Sequence, residues 1–304
     1  MKHIMRAIVL ILVHALAFVS VGVWAEPGVL TVHPSSVRLT HPLRQQSVLV
    51  GLKDSEGYDH DVTDRAKYAS EDEAIVAVDA QGWIRPVKNG RTFVRVRDGG
   101  HESRVSVEVS LPEVAPRMSF REDVMPVLSK GTCNMGACHG YSLGKNGFKL
   151  SLRGADAEKD FPALTDEFGE RRLNRHQPEA SLLLLKGTGE IPHEGGVKLD
   201  KGSEMYGRLL RWISEGTRDD DPKMRRLESV MMYPSKVTAR TGGLHRFQVT
   251  AKYSDGTLRD VTRDSIFTVN TERVARADEN GVVVVTELGE SAIIARYENL
   301  FAVS

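Results

Sequence analysis

The sequence predicts a multidomain chain in which two all-β sandwiches flank a small, mainly α segment. Three observations carry this prediction. Residues 28–110 and 229–304 consist of short apolar runs at strand length, separated by turn signals. The second of these stretches repeats the first, motif by motif. Between them, residues 117–222 lose the strand-like alternation, carry two amphipathic helical patterns and hold the only two cysteines among 304 residues. That length suits two or three domains with sizeable cores.

Residues 1–25 read as a secretory signal. Lys2 and Arg6 form the positive region, and Ala7 to Val23 is an apolar run broken only by His14, Ser20 and Gly22. Val23-Trp24-Ala25 then places small residues before Glu26 in a cleavage pattern. An uncleaved anchor is the competing reading, because the run approaches the length of a membrane span. Either way the rest of the chain is expected outside the cytoplasm, in the periplasm or at the cell surface. Membrane contact is expected only if the signal stays attached. Forty-one basic side chains balance forty-one acidic ones, so the basic footprint of a nucleic-acid binder is absent.

The first β stretch, residues 28–110, contains runs such as Val48-Leu49-Val50 and Val105-Ser106-Val107-Glu108-Val109. Its turn signals include Asp54-Ser55-Glu56-Gly57, Gln81-Gly82, Asn89-Gly90 and Asp98-Gly99-Gly100. Residues 229–304 echo it. Tyr233-Pro234-Ser235 matches His33-Pro34-Ser35, Asp260-Val261-Thr262 matches Asp61-Val62-Thr63, and Gly281 and Gly289 match Gly82 and Gly90. Phe247, Val249, Ala251 and Tyr253 alternate and stop at the Asp255-Gly256 turn. These features resemble the bacterial Ig-like domain, group 2, which implies a sandwich used as a spacer or adhesive module, with the cell envelope or a surface polysaccharide as partner. Aligning Gly289 with Gly90 sets Ser304 opposite Val105, so the second sandwich is expected to lack its last strand and the chain to be a fragment of a longer protein.

In the middle segment, Ser119-Phe120-Arg121-Glu122 is a capping box, and Phe120, Val124 and Leu128 follow at helical spacing. Ser203 caps a second helical pattern carrying Met205, Leu209, Leu210, Trp212 and Ile213, closed by Gly216. Glycine-rich sequence between them offers little apolar material for a core. Cys133-Asn134-Met135-Gly136-Ala137-Cys138-His139 is a variant of the haem-attachment signature, with a spacer of four residues instead of two; Gly136 offers freedom for the longer spacer to bulge. In this reading haem c is the cofactor, Cys133 and Cys138 tether it, and His139 is the proximal iron ligand.

The segment also resembles the planctomycete-type cytochrome c domain, through Phe120 to Leu128, Cys133 to Gly140, Gly144 to Leu150, Ser181 to Leu184 and Trp212 to Gly216. The resemblance implies one covalent haem and a distal ligand in the turn before the last helix. Where that family carries a methionine, the turn here reads Glu190-Ile191-Pro192-His193-Glu194. His193 is therefore the favoured distal ligand and Met205 the alternative. Arg172 and Arg175 are candidate contacts for the haem propionates.

Two other chemistries stay open for the cysteines. In an oxidising compartment they can form a disulfide, and with His139 and His193 they could build a zinc site, which adjacent ligands at Cys138 and His139 would strain. The function expected first is an exported electron-transfer module that serves an unspecified redox partner. The second is a non-catalytic adhesive or structural surface protein with a Cys133–Cys138 disulfide. No nucleophile–base arrangement, phosphate loop or paired-carboxylate cleft is recognisable, so catalysis is not assigned.

Overall fold

A computed structural model describes residues 29–168 and 171–304; the signal sequence read at residues 1–25 lies outside them. The first ten strands are β1 (Val29–His33), β2 (Ser36–Leu39), β3 (Gln46–Ser47), β4 (Leu49–Lys53), β5 (Asp59–Asp61), β6 (Lys67–Ser70), β7 (Val76–Val78), β8 (Trp83–Pro86), β9 (Gly90–Asp98) and β10 (His101–Val109). They form sheets in the orders β1-β4-β5, β3-β8-β7 and β2-β10-β9-β6. Alternation decides which face is buried: Val94 and Val96 of β9 and Val105 and Val107 of β10 point inward against Val48, Val50 and Ile84. Hairpin pairing of β9 with β10 runs the full length from Gly90 to Val109.

Four helices follow: α1 (Met125–Lys130), α2 (Ala157–Thr165), α3 (Leu182–Gly187) and α4 (Glu204–Ser214). A wide helical turn, Phe120–Val124, leads into α1. The capping box is realised in altered form. Ser119 Oγ accepts from the Glu122 amide (2.9 Å), but the Ser119 amide donates to Asp123, not Glu122. Glu122 is thereby released for another task.

The last nine strands are β11 (Leu227–Tyr233), β12 (Leu244–Arg246), β13 (Gln248–Tyr253), β14 (Leu258–Asp260), β15 (Ile266–Val269), β16 (Ala275–Ala277), β17 (Val282–Val285), β18 (Ile293–Tyr297) and β19 (Leu300–Val303). Their sheet orders are β11-β13-β14, β12-β17-β16 and β15-β18-β19. A closing strand is thus present over Leu300–Val303, shorter than β10. Among the described residues the second sandwich shows no strand matching β2, which in the first pairs in parallel with Ser106–Val109 of β10.

The repeat extends to single atoms. His33-Pro34 and Tyr233-Pro234 are both cis peptides. Gly82 and Gly281 both have φ of +80°, and each lies under an aromatic ring, Tyr68 or Phe267, where a Cβ would collide.

The expectation of a small, mainly α cytochrome c-like domain between Ig-like sandwiches is corrected. The described residues are dominated by six sheets, and the middle segment is irregular chain carrying short helices, the longest of 11 residues. Left-handed turns at Thr132, Gly144, Asn146, Gly147 and Arg153 interrupt it every few residues. The premise that it lacks core material also fails. Fifteen apolar side chains are buried there, with Phe120 at 5.1 Å from Phe161 and 5.5 Å from Trp212 between ring centres.

Candidate functional site

Two places concentrate chemistry: the cysteine–histidine segment and the junction where the three cores meet. In the first, the turn at Thr132 (φ 61°) follows α1, and the spacer between the cysteines wraps Asn134, which is fully buried. Asn134 Nδ2 donates to Ser129 Oγ (2.8 Å), and its carbonyl accepts from the Arg153 amide (2.8 Å). Gly136 is not among the residues with positive φ, so the spacer folds around Asn134 instead of bulging at Gly136.

The His139 amide bonds the Cys133 carbonyl (2.9 Å), which holds the two ends of the motif together. Cys133 packs against the central core, and burial pushes its thiol up to about 11. Such a thiol is a poor nucleophile at neutral pH. His139 and His193 lie with near-parallel rings, 6.2 Å apart between centres. Each Nδ1 is tied to a backbone carbonyl, His139 to Phe148 (3.0 Å) and His193 to Gly196 (3.1 Å). Burial lowers the pKa of His139, so it is a neutral imidazole at pH 7.

Arg172 is nearly buried, and its guanidinium donates to the carbonyls of Ala163 (2.8 Å), Glu167 (3.1 Å) and Gly147 (3.0 Å). It also lies between the rings of Phe148 and Phe168, at 4.4 and 5.2 Å. Phe148 in turn packs on His139, at 4.5 Å. Phe168, Arg172, Phe148, His139 and His193 therefore form one continuous stack that braces the irregular loops. Arg175 Nε donates to Thr217 Oγ1. Met205 is half-buried against the central core.

The junction is built mainly from residues that the sequence reading did not single out. Glu122 is 1% exposed. It accepts from Arg44 Nη1 (3.0 Å) of the first sandwich and from Arg225 Nε (2.8 Å) and Nη2 (2.9 Å) in the segment leading to the second. Arg44 also pairs with Asp123 (2.9 Å). From the second sandwich, Arg259 bonds the Glu122 carbonyl (3.0 Å) and Asp264 (2.7 Å), and Asp264 also pairs with Arg208 of α4. Burial would raise the Asp264 and Glu122 carboxyls, but the surrounding arginines outweigh it and hold both below the usual range.

The sandwiches also meet each other directly, through equivalent residues. Asp260 accepts from the Ser47 amide (2.8 Å) and Ser47 hydroxyl, while Asp61, its counterpart, accepts from the Arg246 amide (2.5 Å). Ser47 and Arg246 occupy matching positions in β3 and β12. His33 and Tyr233, before the two cis-prolines, stack at 3.6 Å. Matching residues thus face each other across a local two-fold axis, the self-complementary geometry of a symmetric dimer.

No family model and no curated protein matches the chain. Solved structures similar to it include the S-layer protein SbsC, domains 5-6, at 12% identity over 91% of this chain and 94% of that one, with a TM-score of 0.32. Domains 4-9 of the same protein match at 11% over 91% of this chain, with a TM-score of 0.31; the chain spans 30% of that structure. Human protocadherin-24 EC1-2 matches at 8% over 92% of this chain and 93% of that one, with a TM-score of 0.20. At these identities and scores the likeness names no family.

The cytochrome c resemblance, and with it haem c, iron and electron transfer, is corrected by the described residues. Among the described residues no group of three or more His, Cys, Asp or Glu side chains is placed to hold a metal ion. The central core is closed by its own side chains. The zinc arrangement fails on the same missing cluster. Among the described residues no helix is long and apolar enough to cross a membrane.

Proposed function

We propose that this chain is a non-catalytic structural module of an exported cell-surface protein, its central segment stapled by a Cys133–Cys138 disulfide. The junction is the observation that carries this reading. Three cores converge on Glu122, and the sandwiches clasp each other through Asp61, Asp260, His33 and Tyr233. Such a joint fixes domain orientation, and a spacer or surface array needs fixed orientation. A buried carboxylate with three arginines around it is directional, so it selects one arrangement of the domains where an apolar contact would tolerate several.

The staple suits the same role. Both cysteines are free, partly buried thiols in the structure; their oxidation would close a short loop, and loop-entropy estimates give such a bond about 2–3 kcal/mol. The cell envelope or a surface polysaccharide is the partner this reading implies.

The test is export of the protein in a bacterial host, followed by intact-mass measurement with and without reduction and by envelope fractionation. A mass about 2 Da below the reduced chain and recovery with the envelope are expected. Two alkylatable thiols in the oxidised protein, or a covalent adduct of about 600 Da on the cysteines, would overturn the reading.

A further inference from the structure

The junction also encloses a cavity of about 390 Å³ to which all three cores contribute, a size typical of small-molecule sites. Six arginines line it (Arg44, Arg85, Arg208, Arg211, Arg259 and Arg263) together with four carboxylates, Asp123, Glu204, Asp260 and Asp264. The carboxylates are already engaged. Asp123 is held by Arg44, Asp264 by Arg208 and Arg259, Glu204 by Arg208 and Arg263, and Asp260 by Ser47 and Thr262.

The arginines are not all engaged. Arg44 and Arg208 are spent in buried pairs, and Arg259, paired through both terminal nitrogens, keeps only its buried Nε without a partner. The guanidinium of Arg85 is exposed and has no partner among the described residues. Arg211 uses its Nε on Glu215 (2.7 Å) and reaches the Pro116 carbonyl only at 3.5 Å. Arg263 lies over the Trp83 ring, 3.7 Å from its centre, and uses Nη1 on Gln45 (3.2 Å) and Glu204 (3.8 Å). The unspent donors in the cavity are therefore guanidinium N–H groups. The Trp83 and Gln45 contacts restrain the Arg263 side chain in advance, which lowers the entropy lost when an anion binds. Leu43, Pro42 and Pro86 supply an apolar wall.

We infer that this cavity binds a small ligand bearing a carboxylate or sulfate, which is held by Arg85, Arg211 and Arg263. A guanidinium fork matches either group with paired hydrogen bonds. Because the first sandwich, central segment and second sandwich each line the cavity, the bound ligand links them and raises the stability of the assembled chain.

The experiment is calorimetric titration and thermal unfolding of the whole chain with D-glucuronate, glucose 6-sulfate and glucose. Binding of at least one anionic sugar is expected, with a rise in melting temperature and none with glucose. The identity of the anion that binds separates the carboxylate from the sulfate source. Arg85→Ala and Arg263→Gln should each weaken binding about tenfold, the loss of one charge-assisted pair. Arg104→Ala, far from the cavity on the Glu71 pair, should leave it unchanged. Equal binding of glucose, no binding of either anion at millimolar concentration, or unaltered affinity in both cavity variants would each overturn the assignment. Arg85→Ala alters an exposed side chain, so loss of folding does not confound it.

Discussion

Glu122→Gln is the sharpest perturbation of the junction, since it keeps the side-chain shape and removes one charge. Wild-type Glu122 accepts three guanidinium hydrogen bonds of 2.8–3.0 Å and has Arg259 Nη1 at 3.7 Å from the same carboxylate. After substitution, the buried carboxylates left to Arg44, Arg225 and Arg259 are Asp123 and Asp264. Breaking a buried pair on one side costs about 3–5 kcal/mol. The amide oxygen of glutamine still accepts one bond, which places the expected loss near 3 kcal/mol. For a chain of this size that lowers the melting temperature by about 6–12 °C.

The pH dependence has a definite sign. The Glu122 carboxyl titrates below its usual value in the folded state, so its contribution is present above the unfolded value of about 4.3 and is lost as pH falls through the folded one. Wild type and variant should converge in acid. Urea unfolding gives the difference directly, with the slope unchanged if only stability has moved. Pairing the change with Arg225→Met should show coupling of about 0.5–3 kcal/mol. A loss under about 1 kcal/mol, or additive single changes, would refute the claim that Glu122 organises the joint.

Three further outcomes can be measured on the same preparation. Glu298 has a buried, unpartnered carboxylate oxygen, and burial pushes its pKa up to about 7, so stability should fall as pH rises from about 4.5 to 7. Glu298→Gln should flatten that dependence and raise stability at pH 8 by up to about 3 kcal/mol; an unchanged urea midpoint would sink the argument. Gly281→Ala places a Cβ 2.6 Å from the Phe267 ring and 3.0 Å from a backbone carbonyl at positive φ, and should cost more than the 1–2 kcal/mol of left-handed strain alone. Gly57→Ala, at φ of +87° in open space, should cost only that strain; equal losses would mean that the ring contact is unimportant. Asp61→Asn and Asp260→Asn remove matching clasps on the two sandwiches, and each should increase the hydrodynamic radius or the tryptic cleavage at Lys223–Arg226 if the local two-fold fixes the arrangement.

What the sequence made legible follows from which interactions are local. Alternation in β9 and β10 marks a buried face because successive side chains point to opposite sides, and Gly82 and Gly281 mark turns because only glycine fits under Tyr68 and Phe267. The Asp-Val-Thr echo was visible as a repeat. Its use as an interdomain clasp was not, because Asp260 meets Ser47 only after two sandwiches have folded. Glu122 shows the limit most clearly. Its spacing from Ser119 fits a local cap, yet Asp123 takes that task, and the Glu122 carboxylate collects Arg44, Arg225 and Arg259 from distant parts of the chain.

The cysteine–histidine segment misled for the complementary reason. Cys133, Cys138 and His139 are adjacent in sequence, and adjacency suggested a shared ligand. The stack that actually occupies His139 runs through Phe148, Arg172 and Phe168, residues spread along a glycine-rich stretch without periodicity. Long-range charge and aromatic contacts of this kind leave no period in the sequence to read. The same contacts unite the domains, so the part of the chain hardest to read in one dimension is the part on which the proposed structural role depends.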